Sequence, residues 1–117
     1  MWIMTTDGFF SAVQKNPSDP NTITVRSRSR NDLVNLLAVS GLDKTISNSQ
    51  GKSDYPFRVV MTKGEWAAYL SEAAERLDYD NFKNAIAKEN KGRSRIYGYV
   101  WGELISIEDE NENEYLR

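Results

Sequence analysis

Three arginines at a spacing of two, Arg26, Arg28 and Arg30, lie in the stretch TVRSRSRND, directly after a β-branched run. Side chains alternate between faces along a strand, so on one continuous strand all three guanidinium groups would line up as an anion-binding rail. Arg58 lies in a second β-rich run, YPFRVVMT, and KENKGRSR at 88–95 adds Lys88, Lys91, Arg93 and Arg95 against one Glu. Guanidinium groups grip phosphates and stack on bases, and an aromatic such as Phe10 on the same face would add a stacking platform. Carboxylates offer the other chemistry. Glu65, Glu72 and Glu75 could form an acid–base pair only if their surroundings pushed two pKa values apart. They share a helical segment with an apolar stripe, so they are expected to face water. Asp78 and Asp80 in DYDNF open like a calcium loop, but Phe82 fills the third ligand position and the turn glycine is missing. Asp80 is expected to cap a helix instead. GKS at 51–53 lacks the upstream glycine of a phosphate-binding loop.

The chain contains neither cysteine nor histidine. Disulfides, thiol nucleophiles, imidazole bases and metal sites built on Cys or His are therefore excluded. Metal and cofactor are both expected to be absent. The net charge of −2 conceals an uneven distribution. Residues 108–117 sum to −4 and the remaining 107 residues to +2, a mildly basic body with an acidic end. Against nucleic-acid binding stands the acidic pI near 5.2.

The elements that must position these residues can be read in turn. WIMTT and FFSAVQ flank Asp7-Gly8, the pair favoured by a two-residue type I′ turn. That register sets Thr6 against Phe9, Met4 against Ser11 and Trp2 against Val13. NPSDPN turns the chain into a third strand, TITVRS. Ser29 and Asp32 mark a helix start before Leu33, Leu36 and Leu37, and Gly41 marks its end. Arg30 then falls in the first helical turn, and the rail reduces to Arg26 and Arg28. Residues 43–54 read as a polar loop and YPFRVVMT as a fourth strand. Thr62 and Glu65 form a capping box before a helix carrying Trp66, Tyr69, Leu70, Ala73, Ala74 and Leu77 on one face. A short third helix carries Phe82, Ala85 and Ile86. In RIYGYVWGELISI, Ile96, Tyr97, Val100, Trp101, Leu104 and Ile105 recur at helical spacing, and the segment is read as helix despite Gly98 and Gly102.

The order β-β-β-α-β-α-α-α implies a two-layer α+β domain over residues 1–107: a four-stranded, mostly antiparallel sheet with helices on one face. Residues 108–117 are expected as a flexible acidic tail. The covered face is expected to collect Trp2, Met4, Phe9, Val13, Ile23, Val25, Phe57, Val59 and Met61. The open face would then carry Ile3, Thr5, Phe10, Thr24, Arg26, Arg28, Arg58 and Val60.

The start MWIMTTDGFFSAVQ, then VRSRSRNDL, DYPFRV, DYDNFK and YGYVW in that order, resemble a family of small uncharacterised bacterial proteins. The resemblance spans most of residues 1–107 and implies a stand-alone domain; it carries over no functional residue. No apolar run approaches the roughly 20 residues needed to span a bilayer, and the N-terminus lacks a signal-peptide pattern. A cytoplasmic protein is expected, without a membrane partner. The reading that follows is a small non-catalytic module binding another protein, of adaptor, inhibitor or immunity/counter-defence type. The alternative is nucleotide or nucleic-acid binding through Phe10, Arg26, Arg28 and Arg58, supported by Lys91, Arg93 and Arg95. A metal-free enzyme using carboxylates is the third.

Overall fold

A computed structural model describes the backbone of residues 1–115 and the side chains of residues 1–110; the chain divides into two compact units, Met1–Leu77 and Asp78–Arg117. The first contains β1 (Trp2–Thr5), β2 (Gly8–Val13), β3 (Thr22–Ser27), α1 (Arg30–Ser40), β4 (Ser47–Asn48), β5 (Phe57–Thr62) and α2 (Lys63–Glu75). The class is α+β as expected, but the antiparallel sheet has five strands rather than four, in the order β1-β2-β3-β5-β4. The added strand lies in the segment expected as loop. It is two exposed residues long, pairing Ser47 with Arg58 and Asn48 with Phe57, too short and polar to leave a periodic signal.

The hairpin register also differs. Thr5 pairs with Gly8, so Thr6-Asp7 is the turn; Met4 faces Phe9 and Trp2 faces Ser11. Among the described non-glycine residues only Gln50 has positive φ, so the turn is not type I′.

A larger correction concerns the faces. Ala12 lies opposite Val25, and Val25 opposite Val59, which puts Phe10 and Ala12 on the side of Ile23, Val25, Val59 and Met61. That side packs against Leu33, Leu36 and Leu37 of α1 and Trp66 and Tyr69 of α2 to form the core. Fully burying each such side chain contributes about 1.5–3 kcal/mol. Trp2, Met4, Phe9 and Val13 therefore belong to the opposite face, away from α1 and α2. A one-residue slip between hairpin and β3 exchanges every side chain of the hairpin between faces, which is the whole of the error.

The helix ends follow local chemistry. Thr62 Oγ1 accepts from Glu65 N at 3.0 Å and Glu65 Oε1 accepts from Thr62 N at 2.8 Å, the expected capping box. Gly41 closes α1 at φ 66. Ser29 occupies the N-cap of α1 without a side-chain cap bond. In the second unit α3 (Phe82–Glu89) is capped by Asn81, whose side chain accepts from Asn84 N, and not by Asp80. Asn90 ends α3 and caps α4 (Lys91–Leu104), so the segment read as helix is one and begins earlier than residue 95. Phe82 stacks on Tyr97 with centroids 5.7 Å apart, beside buried Ile86, and Lys83 Nζ stands 4.0 Å over the Trp101 ring. α5 (Ser106–Tyr115) takes in residues 108–115 of the acidic segment; the last two residues of that expected tail lie outside the described residues. Among the described residues no helix is long and apolar enough to cross a membrane.

Candidate functional site

The face of the sheet opposite α1 and α2 is built in cross-strand ranks. Trp2, Ser11, Arg26 and Arg58 form one rank across β1, β2, β3 and β5; Val13, Thr24 and Val60 form the next, and Met4 with Phe9 the one on the other side. With strands about 4.8 Å apart, the first rank runs roughly 14 Å from an indole to a guanidinium.

Trp2 is 75% exposed, and its ring meets Phe9 edge-on at 6.1 Å and 86°. Phe9 in turn lies 6.4 Å from Tyr55, which the segment before β5 carries onto this face and which is buried. Two guanidinium groups stack on that phenol, with Arg26 Cζ 4.6 Å and Arg28 Cζ 4.9 Å from the ring centroid. Cation–π contacts of this kind contribute about 0.5–2 kcal/mol each, more as they lose water. Arg26 Nη2 donates to the buried Ser11 Oγ at 2.7 Å. Arg58 Nη2 donates to Ser53 Oγ at 2.8 Å and its Nε to Tyr55 O at 3.4 Å. Arg26 and Arg58 sit directly opposite each other, a pairing of like charges that costs stability. The Tyr55 ring and the two serines direct the two cations into separate contacts.

The sequence candidates thus part company. Arg26, Arg28 and Arg58 do gather on one face. Phe10 does not join them; it is fully buried on the core side, edge-on to Trp66 and Tyr69. Lys91, Arg93 and Arg95 stand at the start of α4 in the other unit, where Arg93 Nη1 donates to Tyr97 Oη at 3.0 Å. The residues missed are Trp2, Phe9 and Tyr55. The available signal was the smallness of Gly8 and Ala12, which suits the side that a helix approaches.

Glu65 lines a cavity of about 120 Å³ with Ser40, Leu42, Ala68, Tyr69 and Glu72, well below the roughly 300 Å³ at which ligand pockets begin. Glu65 is committed to the Thr62 cap and to Lys44 Nζ at 2.9 Å, and these hold its carboxyl below the usual carboxylate range. Tyr69 Oη donates to Asp7 Oδ2 at 2.8 Å and lies 2.7 Å from Thr5 Oγ1; burial, then the Asp7 charge, push its pKa upward. A phenol so held is a structural donor, not a base.

Comparison of the chain with protein-family models, curated proteins and solved structures found no match.

Proposed function

We propose that this chain is a non-catalytic module that docks another protein on the face of its sheet opposite α1 and α2, with Trp2 as the anchor. The observation that carries this reading is the indole itself: 75% exposed, held edge-on by Phe9, on the same face as Val60 at 59% exposure. Trp, Tyr and Arg dominate the energetics of protein interfaces, and this face combines all three. Arg28, exposed beside Tyr55, suits a carboxylate flanking the partner's apolar segment. No metal or cofactor enters the reading, and its adaptor, inhibitor or immunity role depends on the partner's identity.

The nucleic-acid alternative draws on the same arginines, but Arg26 and Arg58 commit donors to Ser11 and Ser53. The side chains of Val13 and Val60, which flank Thr24, also offer nothing to a phosphate backbone.

Native mass spectrometry of the tagged chain purified from its own cells, in parallel with Trp2→Ala and with Arg26, Arg28 and Arg58 all changed to Ala, separates the two. A protein retained by the parent and lost from Trp2→Ala is the expected result. An oligonucleotide or nucleotide retained at low salt and lost from the triple variant would overturn it.

A further inference from the structure

β1 is an edge of the sheet, and its backbone groups divide by direction. Met1 and Ala12 exchange both hydrogen bonds, each at 2.9 Å. In an antiparallel ladder such pairs alternate with pairs that exchange none. Ile3 with Phe10 and Thr5 with Gly8 therefore bond inward, whereas Trp2 and Met4 turn N–H and C=O away from β2. Phe9, opposite Met4, agrees with this parity: its N–H donates to Asp32 Oδ2 at 3.0 Å and its C=O accepts from Ser27 Oγ at 3.3 Å. Two donors and two acceptors thus line the outer side of β1, and among the described residues no loop or turn backbone bonds to them.

Edge strands are commonly guarded by charged side chains, by proline or by extreme shortness. The other edge, β4, is two residues long. β1 has four residues, Met1 to Thr6 carry neither a charged side chain nor a proline, and Met1 and Trp2 are 64% and 75% exposed. Such a row accepts an extended backbone, and β1 of a second copy presents the matching row. With two copies antiparallel and centred on Ile3, Trp2 of each lies opposite Met4 of the other, and every outward group is met. Shifting the register by two residues sets Trp2 against Trp2 or Met4 against Met4 and leaves half of those groups unmet.

We propose that two copies of this chain pair edge to edge through β1, antiparallel about Ile3, joining their sheets into one. The arrangement is isologous, with the two-fold axis passing beside Ile3. Directly opposed residues share a face, so each Trp2 indole comes alongside the Met4 thioether of the other copy, a favourable contact. The helices leave room: α1 packs on β2, β3 and β5, and β2 would stand about 14 Å from its copy, beyond the roughly 10 Å that packed helices need. Met1, Trp2, Ile3 and Met4 offer on the order of 400 Å² per copy, half the roughly 800 Å² of a standard interface, so the pairing is weak and the backbone bonds must carry much of it. It does not rest on the docking face proposed above, and either proposal can fail alone.

Sedimentation equilibrium of the full chain tests the pairing, with a monomer–dimer equilibrium expected on the order of 100 μM. Met4→Pro removes an outward N–H and spares the β1–β2 ladder, since proline is tolerated on an edge strand where the N–H faces solvent. Dissociation should rise about tenfold or more while the unfolding midpoint of the dilute protein stays near that of the parent. Ile3→Pro, one position away, takes the N–H that bonds Phe10 and should lower the midpoint instead. Amide exchange in the parent gives a readout free of substitution: the Met4 N–H should slow as concentration rises, and the Ile3 N–H should be protected throughout. A monomer at about 1 mM would overturn the proposal. So would a dimer indifferent to Met4→Pro, equal loss of stability in the two proline variants, or Met4 exchange independent of concentration.

Discussion

Gly8 and Asp32 approach so closely that a Cβ on Gly8 would stand 2.4 Å from Asp32 Cγ. The contact locks helix α1 to the hairpin: Asp32, 5% exposed, accepts a hydrogen bond from Phe9 N at 3.0 Å. With that carboxylate turned towards β2, the Ser29 N–H that it would accept from in a capping box donates to Ser27 Oγ at 3.1 Å instead.

Gly8→Ala should therefore destabilise the fold by about 2–4 kcal/mol, through overlap with Asp32 and through a φ of +156° that suits glycine alone. Urea unfolding gives the number. A loss below about 0.5 kcal/mol would mean that α1 can move away from the hairpin without cost.

The same pair shows what the sequence conveyed. Asp7-Gly8 marked the hairpin, yet the glycine serves the approach of Asp32 rather than the turn. Features set by neighbours in the chain were legible: the Thr62–Glu65 box, the Gly41 stop and the helical spacing from Ile96 to Ile105. The hairpin's buried face was not, since Trp2/Met4/Phe9/Val13 and Ile3/Phe10/Ala12 are both apolar alternations. Which one meets the helices depends on the register of β2 against β3 across the 14–21 connection, and on Asp32, 24 positions from Gly8. The arginine cluster was visible because Arg26 and Arg58 sit on strands; Tyr55, which organises it, comes from a segment without periodicity.

Tyr69 closes a ring of hydrogen bonds around the turn. Asp7 Oδ2 can only accept, so the phenol donates to it, Thr5 Oγ1 donates to the phenol, and Asp7 N donates to Thr5. Arg76 Nη2, 2.8 Å from the same carboxylate oxygen, completes it. Tyr69→Phe leaves Thr5 and Asp7 short of partners and should cost about 1–3 kcal/mol.

The raised pKa of Tyr69, from burial first, places its effect on the alkaline side. Stability from the neutral phenol is intact below its ordinary value of 10.0 and declines as pH rises from there towards the folded value. Ultraviolet titration of the parent against Tyr69→Phe should show that the phenol lost in the variant resists ionisation in the folded protein. A difference between the two that titrates at the ordinary value of 10.0 would contradict the ring.

Glu65 acts at the opposite end of the scale. Its carboxyl is held below 4.5 by Thr62 N and by Lys44, so its contribution is full above that value and disappears as pH falls through the lower, folded value. Glu65→Gln should lower stability by about 0.5–1.5 kcal/mol at neutral pH, and the gap to the parent should narrow as the pH falls below 4.5. Denaturant midpoints at several pH values check it; a gap that widens in acid would reverse the assignment.

Gly98 and Gly102 weaken α4, because glycine gives up more backbone freedom in a helix than any other residue. A Cβ at either position meets nothing within 4 Å, so Gly98→Ala and Gly102→Ala should each stabilise α4 by up to about 1 kcal/mol. Thermal melting of the two variants checks it: both should melt higher than the parent, and a lower melting temperature would mean that a neighbour approaches the helix at these positions.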